Sequence, residues 1–296
     1  MKTFSEFLKR NSLIVGILLM FLLTWPIDLA NSGVLPFEVP FVVYILLGWG
    51  FIFASLIMTG LTLGRAAVVA LLKRFLLWRV GLKWYLVALL FLPAVYVTAV
   101  FLNAALSGSP ADFSTVFAFR IFGPSANLPL LVLPFMLFDA VANGEEMGWR
   151  GYVLPRLQVR HSALVASLVV GLIWGFWHLP KFLAPGNTSS FALYMVETVA
   201  KAVLYTWLYN NTKGSLLLVT LFHAAGNTAG VFLPVANTVS GENTGTLLIA
   251  ISILILAAIL VTAIAGPAHL SRSEEKQVLE QSLDSELPKP VQPVSV

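Results

Sequence analysis

Thr246 to Ala265 is a run of twenty residues without a charge. As a helix rising about 1.5 Å per residue, such a run crosses a hydrocarbon core about 30 Å thick. Comparable runs recur along the chain. Only 11% of its 296 residues are charged and 58% are hydrophobic, against about 25% charged in an ordinary soluble domain. The chain therefore reads as an all-α, multi-pass integral membrane protein with about eight transmembrane helices. The pattern places spans at about Ser12–Ala30, Pro40–Leu63, Trp84–Leu106, Ser162–Leu179, Ser190–Tyr209, Gly214–Phe232 and Thr246–Ala265. One more, the fourth, starts near Asn127 and is expected to run on as far as Leu157. Residues 1–270 form the membrane domain. The polar, proline-bearing segment 271–296 is expected to be a disordered cytoplasmic tail.

Arg65 to Lys83 is basic and amphipathic, with Arg65, Lys73, Arg74, Arg79 and Lys83 among Leu, Val and Trp78. It suits a helix lying on the membrane surface or extending out of the second span. All but three of the eighteen Lys and Arg residues fall in segments that share one side if the chain starts inside. The exceptions are Arg120, Lys181 and Lys201. That bias predicts a cell-membrane protein with both termini cytoplasmic. The uncleaved first span is preferred to a signal peptide, because no small-x-small site follows it. With no cysteine there is neither a disulfide frame nor a thiolate site. The basic residues flank apolar runs and form no stripe for nucleic acid.

Against this background Asn143 to Leu157 is unusual. It holds Glu145, Glu146, Arg150 and Arg156 directly after the uncharged run Leu128–Phe138. Charge inside a bilayer is costly and marks a functional site by default. The other intramembrane candidates are Asp139, His178, Glu197, Lys201 and His223. Counting along helices puts Glu145 roughly 18 Å, His178 roughly 24 Å, and His223 and Asn227 roughly 14 and 20 Å from their cytoplasmic ends. These groups are thus expected at similar depth, within reach from the cytoplasm.

Residues four apart share a helix face. Glu146 can pair with Arg150, Trp174 lies beside His178, and His223 joins Asn227. Glu145 turns about 100° from Glu146 and is free to face a cavity. A carboxylate and a histidine in one buried site can activate water and protonate a leaving group. A second histidine and an asparagine can donate to an oxyanion. The set suits amide hydrolysis. Asp139 and the Glu197–Lys201 pair read as structural. Plainer readings exist for each piece alone: a solvated helix end for the Glu pair, an aromatic belt for His178, a helix–helix hydrogen bond for His223 and Asn227.

Glu145-Glu146-xxx-Arg150, Trp174-xxx-His178 and His223-xxx-Asn227, in this order, resemble the three motifs of the CPBP family, the CAAX-protease and bacteriocin-processing or Abi proteins. Trp174 stands where that family more often has Phe. The resemblance implies an intramembrane endopeptidase acting on a membrane-associated peptide or protein, prenylated or bacteriocin-like. It implies that Glu145 and His178 activate water, that His223 and Asn227 stabilise the oxyanion, and that Glu146 and Arg150 support the site. It implies no cofactor; the alternative is Zn2+ held by Glu145, His178 and His223. Two rival functions are a non-catalytic immunity or scaffold protein binding a peptide or partner in the same cavity, and a proton-coupled transporter. Against the transporter, no internal repeat and no matching pair of broken spans is seen.

Overall fold

The computed structural model describes residues 2–40, 42–43, 48–237, 241–242 and 244–272. Most of the tail expected at 271–296 lies outside the described residues. The architecture is helical. A short α1 (Lys2–Arg10) leads into α2 (Ser12–Asn31), α3 (Gly50–Lys73), α4 (Leu82–Ser107) and the short α5 (Ala118–Phe122). Then come α6 (Leu128–Ala142), a π-helical segment (Met147–Val153), α7 (Leu154–Gln158) and α8 (Ala163–Trp177). The chain continues through α9 (Leu179–Phe182), α10 (Phe191–Asn211), α11 (Leu216–Phe232) and α12 (Thr244–Ala265). Ala236–Asn237 pairs with Gly241–Glu242 as a minimal antiparallel hairpin before α12.

Among the described residues five helices are long and apolar enough to cross a membrane, or six if the bent pair α6 and Met147–Gln158 is one span. The two remaining expected spans, α8 and α11, are apolar but have only 15 and 17 residues. Their starts are sharply set. Ser162, Ser190 and Ser215 each use the side-chain oxygen to accept from the backbone N–H three residues on, the N-cap arrangement that satisfies an orphan donor.

Arg65–Lys73 extends out of the second span, as one of the two readings had it: α3 carries on to Lys73 past a kink at Gly64, whose φ of 83° only glycine adopts easily. One boundary differs from the sequence pattern: the fourth span does not run unbroken to Leu157. It stops at Ala142 and bends by 42°. Asn143 is extended, and its side chain accepts from Glu145 N–H at 2.9 Å, capping a new helical start. The break lets α3 come close. A Cβ on Gly144 would lie 2.7 Å from the Gly48 carbonyl oxygen, and one on Gly148 would lie 2.5 Å from the Phe51 ring.

Side-chain bonds show which ends share a face. At one face Tyr152 donates to the Ser12 carbonyl, Ser215 to that of Leu77, and Asn210 to that of His269. There Arg74 also donates to the Tyr209 hydroxyl. At the opposite face Trp25 donates to the Trp177 carbonyl and Trp177 to the Thr24 hydroxyl. There Trp49 donates to the Val141 carbonyl, and the rings of Phe122, Phe135 and Phe232 pack together. Successive long helices run between these faces in alternating directions.

Candidate active site

The capped start at Asn143 carries the two glutamates into the bundle, and their neighbouring positions give them different surroundings. Glu146 is 1% exposed. Its Oε1 accepts from Arg150 at 3.0 Å, the expected i,i+4 pair, and from His223 Nδ1 at 2.8 Å. Arg150 is fully buried, with its guanidinium carbon 4.3 Å from the Tyr205 ring centre and 4.7 Å from that of Trp174. Among the described residues its Nε and second terminal nitrogen find no hydrogen-bond acceptor. The two aromatic faces supply the attraction that acceptors would otherwise give.

Glu145 faces the cavity wall. Its Oε2 accepts from the indole N–H of Trp174 at 2.6 Å and of Trp149 at 3.3 Å. Its Oε1 lies 3.9 Å from His223 Nε2, wide enough for a water bonded to both. Trp174 therefore does more than stand beside His178: it fixes the carboxylate from 29 residues away.

His178 sits where α8 ends. Its Nδ1 is 2.9 Å from the Trp174 carbonyl oxygen. A carbonyl only accepts, so Nδ1 carries the proton and a neutral ring leaves its lone pair on Nε2. The ring is wedged by Trp177 and Tyr194 at centroid distances of 4.6 and 5.0 Å. His223 is oriented by the opposite logic, its Nδ1–H donating to the Glu146 carboxylate.

A cavity of about 690 Å³ is lined by Glu145, His178, His223 and Asn227 together. Glu146 and Arg150 stand behind it. The four residues that spacing singled out from three parts of the chain thus line one cavity. The histidine at ion-pair distance from Glu145 is His223; His178 meets it only across the cavity they both line. Three residues read as structural belong here as well. Asp139 lines the cavity and accepts from the Asn227 amide at 3.2 and 3.3 Å. Lys201 pairs with Glu197 at 2.7 Å, and Glu197 also accepts from Tyr96 at 2.5 Å; all three line the same space. Tyr96, mid-span among apolar residues, was the available signal for that cluster. Nothing local in the sequence pointed from Asp139 to Asn227, 88 positions away.

As to a metal, the described residues contain no group of three His, Asp or Glu side chains gathered to hold one. The zinc set Glu145, His178 and His223 would have to use the two Nε2 atoms, because each Nδ1 is already engaged.

Carboxylates and imidazoles around a buried cavity, on helices apolar enough to span a bilayer, make a polar site inside a multi-pass membrane protein. A family profile described as Type II CAAX prenyl endopeptidase Rce1-like matches residues 125–229. That stretch contains all three motifs. The chain is also similar to CAAX prenyl protease 2 of Methanococcus maripaludis, 26% identical over 194 residues, covering 62% of this chain and 69% of the relative. Over the segment that carries the site the chain is thus similar to CAAX prenyl endopeptidases, and both comparisons support an intramembrane endopeptidase.

Proposed function

We propose that the protein hydrolyses a peptide bond in a membrane-associated peptide, with Glu145 as general base and no metal. Glu145 takes a proton from a water on its cavity side, between it and His178, as that water attacks the scissile carbonyl. His178, with its lone pair on Nε2, accepts a hydrogen bond from the same water and orients it. The carbonyl oxygen becomes an oxyanion, which His223 Nε2–H and the second amide hydrogen of Asn227 stabilise. With Nδ1–H already given to Glu146, an Nε2–H donor makes the ring an imidazolium held between the Glu145 and Glu146 carboxylates. Glu146 and Arg150 hold that ring in place. Glu145 returns the proton to the leaving amine, so protons balance over the cycle. The reading rests above all on one observation: the Glu145 carboxylate is held by two indole N–H groups at the wall of the cavity that His178, His223 and Asn227 also line.

The relative's name concerns prenylated substrates, and the same chemistry here would serve a peptide with or without a prenyl group. The test is cleavage of one fluorogenic peptide, in prenylated and unprenylated forms, by the purified protein in detergent. Glu145→Ala and His178→Ala should each lower the rate by about 10²–10⁴-fold, the usual worth of general acid–base catalysis, with unfolding temperatures unchanged. Full activity of Glu145→Ala would sink the mechanism. One zinc per chain, lost together with activity on chelation, would overturn the metal-free assignment.

A further inference from the structure

The two faces of the bundle differ in charge and in access to the site. The face that gathers Ser12, Leu77, Asn210 and His269 carries Arg10, Lys73, Arg79, Lys83, Arg160 and Lys213. Among the described residues the opposite face has only Arg120 and Lys181 as cations, with Asp28, Glu38 and Asp112. Lys and Arg beside span ends concentrate on the cytoplasmic side, so the basic face is the cytoplasmic one.

The cavity lies toward the other face. Its wall includes Asp28 at the end of α2, Ile121 after α4, Lys181 and Ser189 between α8 and α10, and Val235 after α11. Ile121 and Lys181 are exposed. On the cytoplasmic side the site is closed by packing. Trp149, Arg150, Tyr152, Tyr205 and Tyr209 are among the largest fully buried side chains. Tyr152 and Tyr209 reach from this floor to Ser12 and Arg74 on the basic face. Helix counting suggested cytoplasmic access, but it measured depth only and could not see this floor.

We propose that the substrate reaches Glu145 from the non-cytoplasmic side of the membrane, as a peptide segment presented at the outer leaflet rather than as the tail of a cytoplasmic protein. This rests on the reading of the cavity as the proteolytic site. The chain has no cysteine, so single thiols can be introduced without background. In intact cells a membrane-impermeant maleimide should label Ser109→Cys, on the opposite face, and Lys181→Cys, in the cavity wall. It should label Arg79→Cys and Arg160→Cys only after permeabilisation. The reverse pattern, or equal labelling of all four, overturns the proposal. In a second arm the fluorogenic peptide is added outside right-side-out and inverted vesicles, with Glu145→Ala vesicles as background. Cleavage in the right-side-out preparation is expected; cleavage confined to inverted vesicles overturns the proposal. Expected labelling with no cleavage in either orientation counts against the protease reading and leaves the sidedness of the cavity standing.

Discussion

Glu146–Arg150 and Glu197–Lys201 have the same spacing and order, one at the start of the π segment and the other on α10. Their surroundings make them different devices. Glu146 and Arg150 are 1% and 0% exposed, roofed by Trp174 and Tyr205 and extended by His223. Glu197 and Lys201 are 7% and 17% exposed and border the cavity, where Tyr96 completes the set. The first pair has no route to water, so each charge depends on the other. The second can borrow solvation from the cavity. An i,i+4 pair seen in sequence therefore says that two charges can meet, and its neighbours decide what the meeting is worth.

Substitutions can test that difference. Arg150→Met should have the largest effect. It leaves Glu146 charged and buried with only His223, and breaking a buried pair on one side costs about 3–5 kcal/mol. Denaturant unfolding in detergent measures it, and a loss no greater than that of Lys201→Met would break the comparison. Tyr96→Phe comes next. It removes a neutral donor to a carboxylate, worth about 1.5–3 kcal/mol, and the double variant with Lys201→Met should be non-additive because both partners meet one Glu197 oxygen. Lys201→Met alone should be the smallest, about 1 kcal/mol or less, because Glu197 keeps Tyr96 and borders a cavity. A cost near that of Arg150→Met would show that the cavity offers Glu197 no solvation. Between these, Trp174→Phe sharpens the link from the buried pair to Glu145, the proposed general base. It preserves a ring beside Arg150 but deletes the donor to Glu145, and should lower turnover by about tenfold with a smaller change in stability, a neutral donor to a carboxylate being worth about 1.5–3 kcal/mol. An unchanged rate would mean that Trp149 alone orients the carboxylate.

Much of the site could be read from local spacing. Glu146–Arg150, Trp174–His178 and His223–Asn227 each lie four apart, and helical geometry makes such residues neighbours whatever the tertiary fold. The apolar runs could be read for a similar reason, since a bilayer rewards length and hydrophobicity directly. Less was legible where the backbone leaves the helix. Gly144 and Gly148 hinted at irregularity, but whether they bend a span or admit a neighbouring helix depends on Gly48 and Phe51, about a hundred residues earlier.

By itself, the sequence determined that this chain is a helical membrane protein and which polar residues share a helix face, because both follow from the 3.6-residue period and the cost of charge in lipid. Its three motifs, in order, also pointed to the peptidase family. Only the tertiary structure decided that Trp174 holds Glu145, that His223 answers to Glu146, and that Asp139 holds Asn227. It alone decided that the cavity lies away from the basic face, behind a floor of buried aromatics. Those facts join residues 29 to 88 positions apart, and such contacts are set by how helices pack, which no local period records.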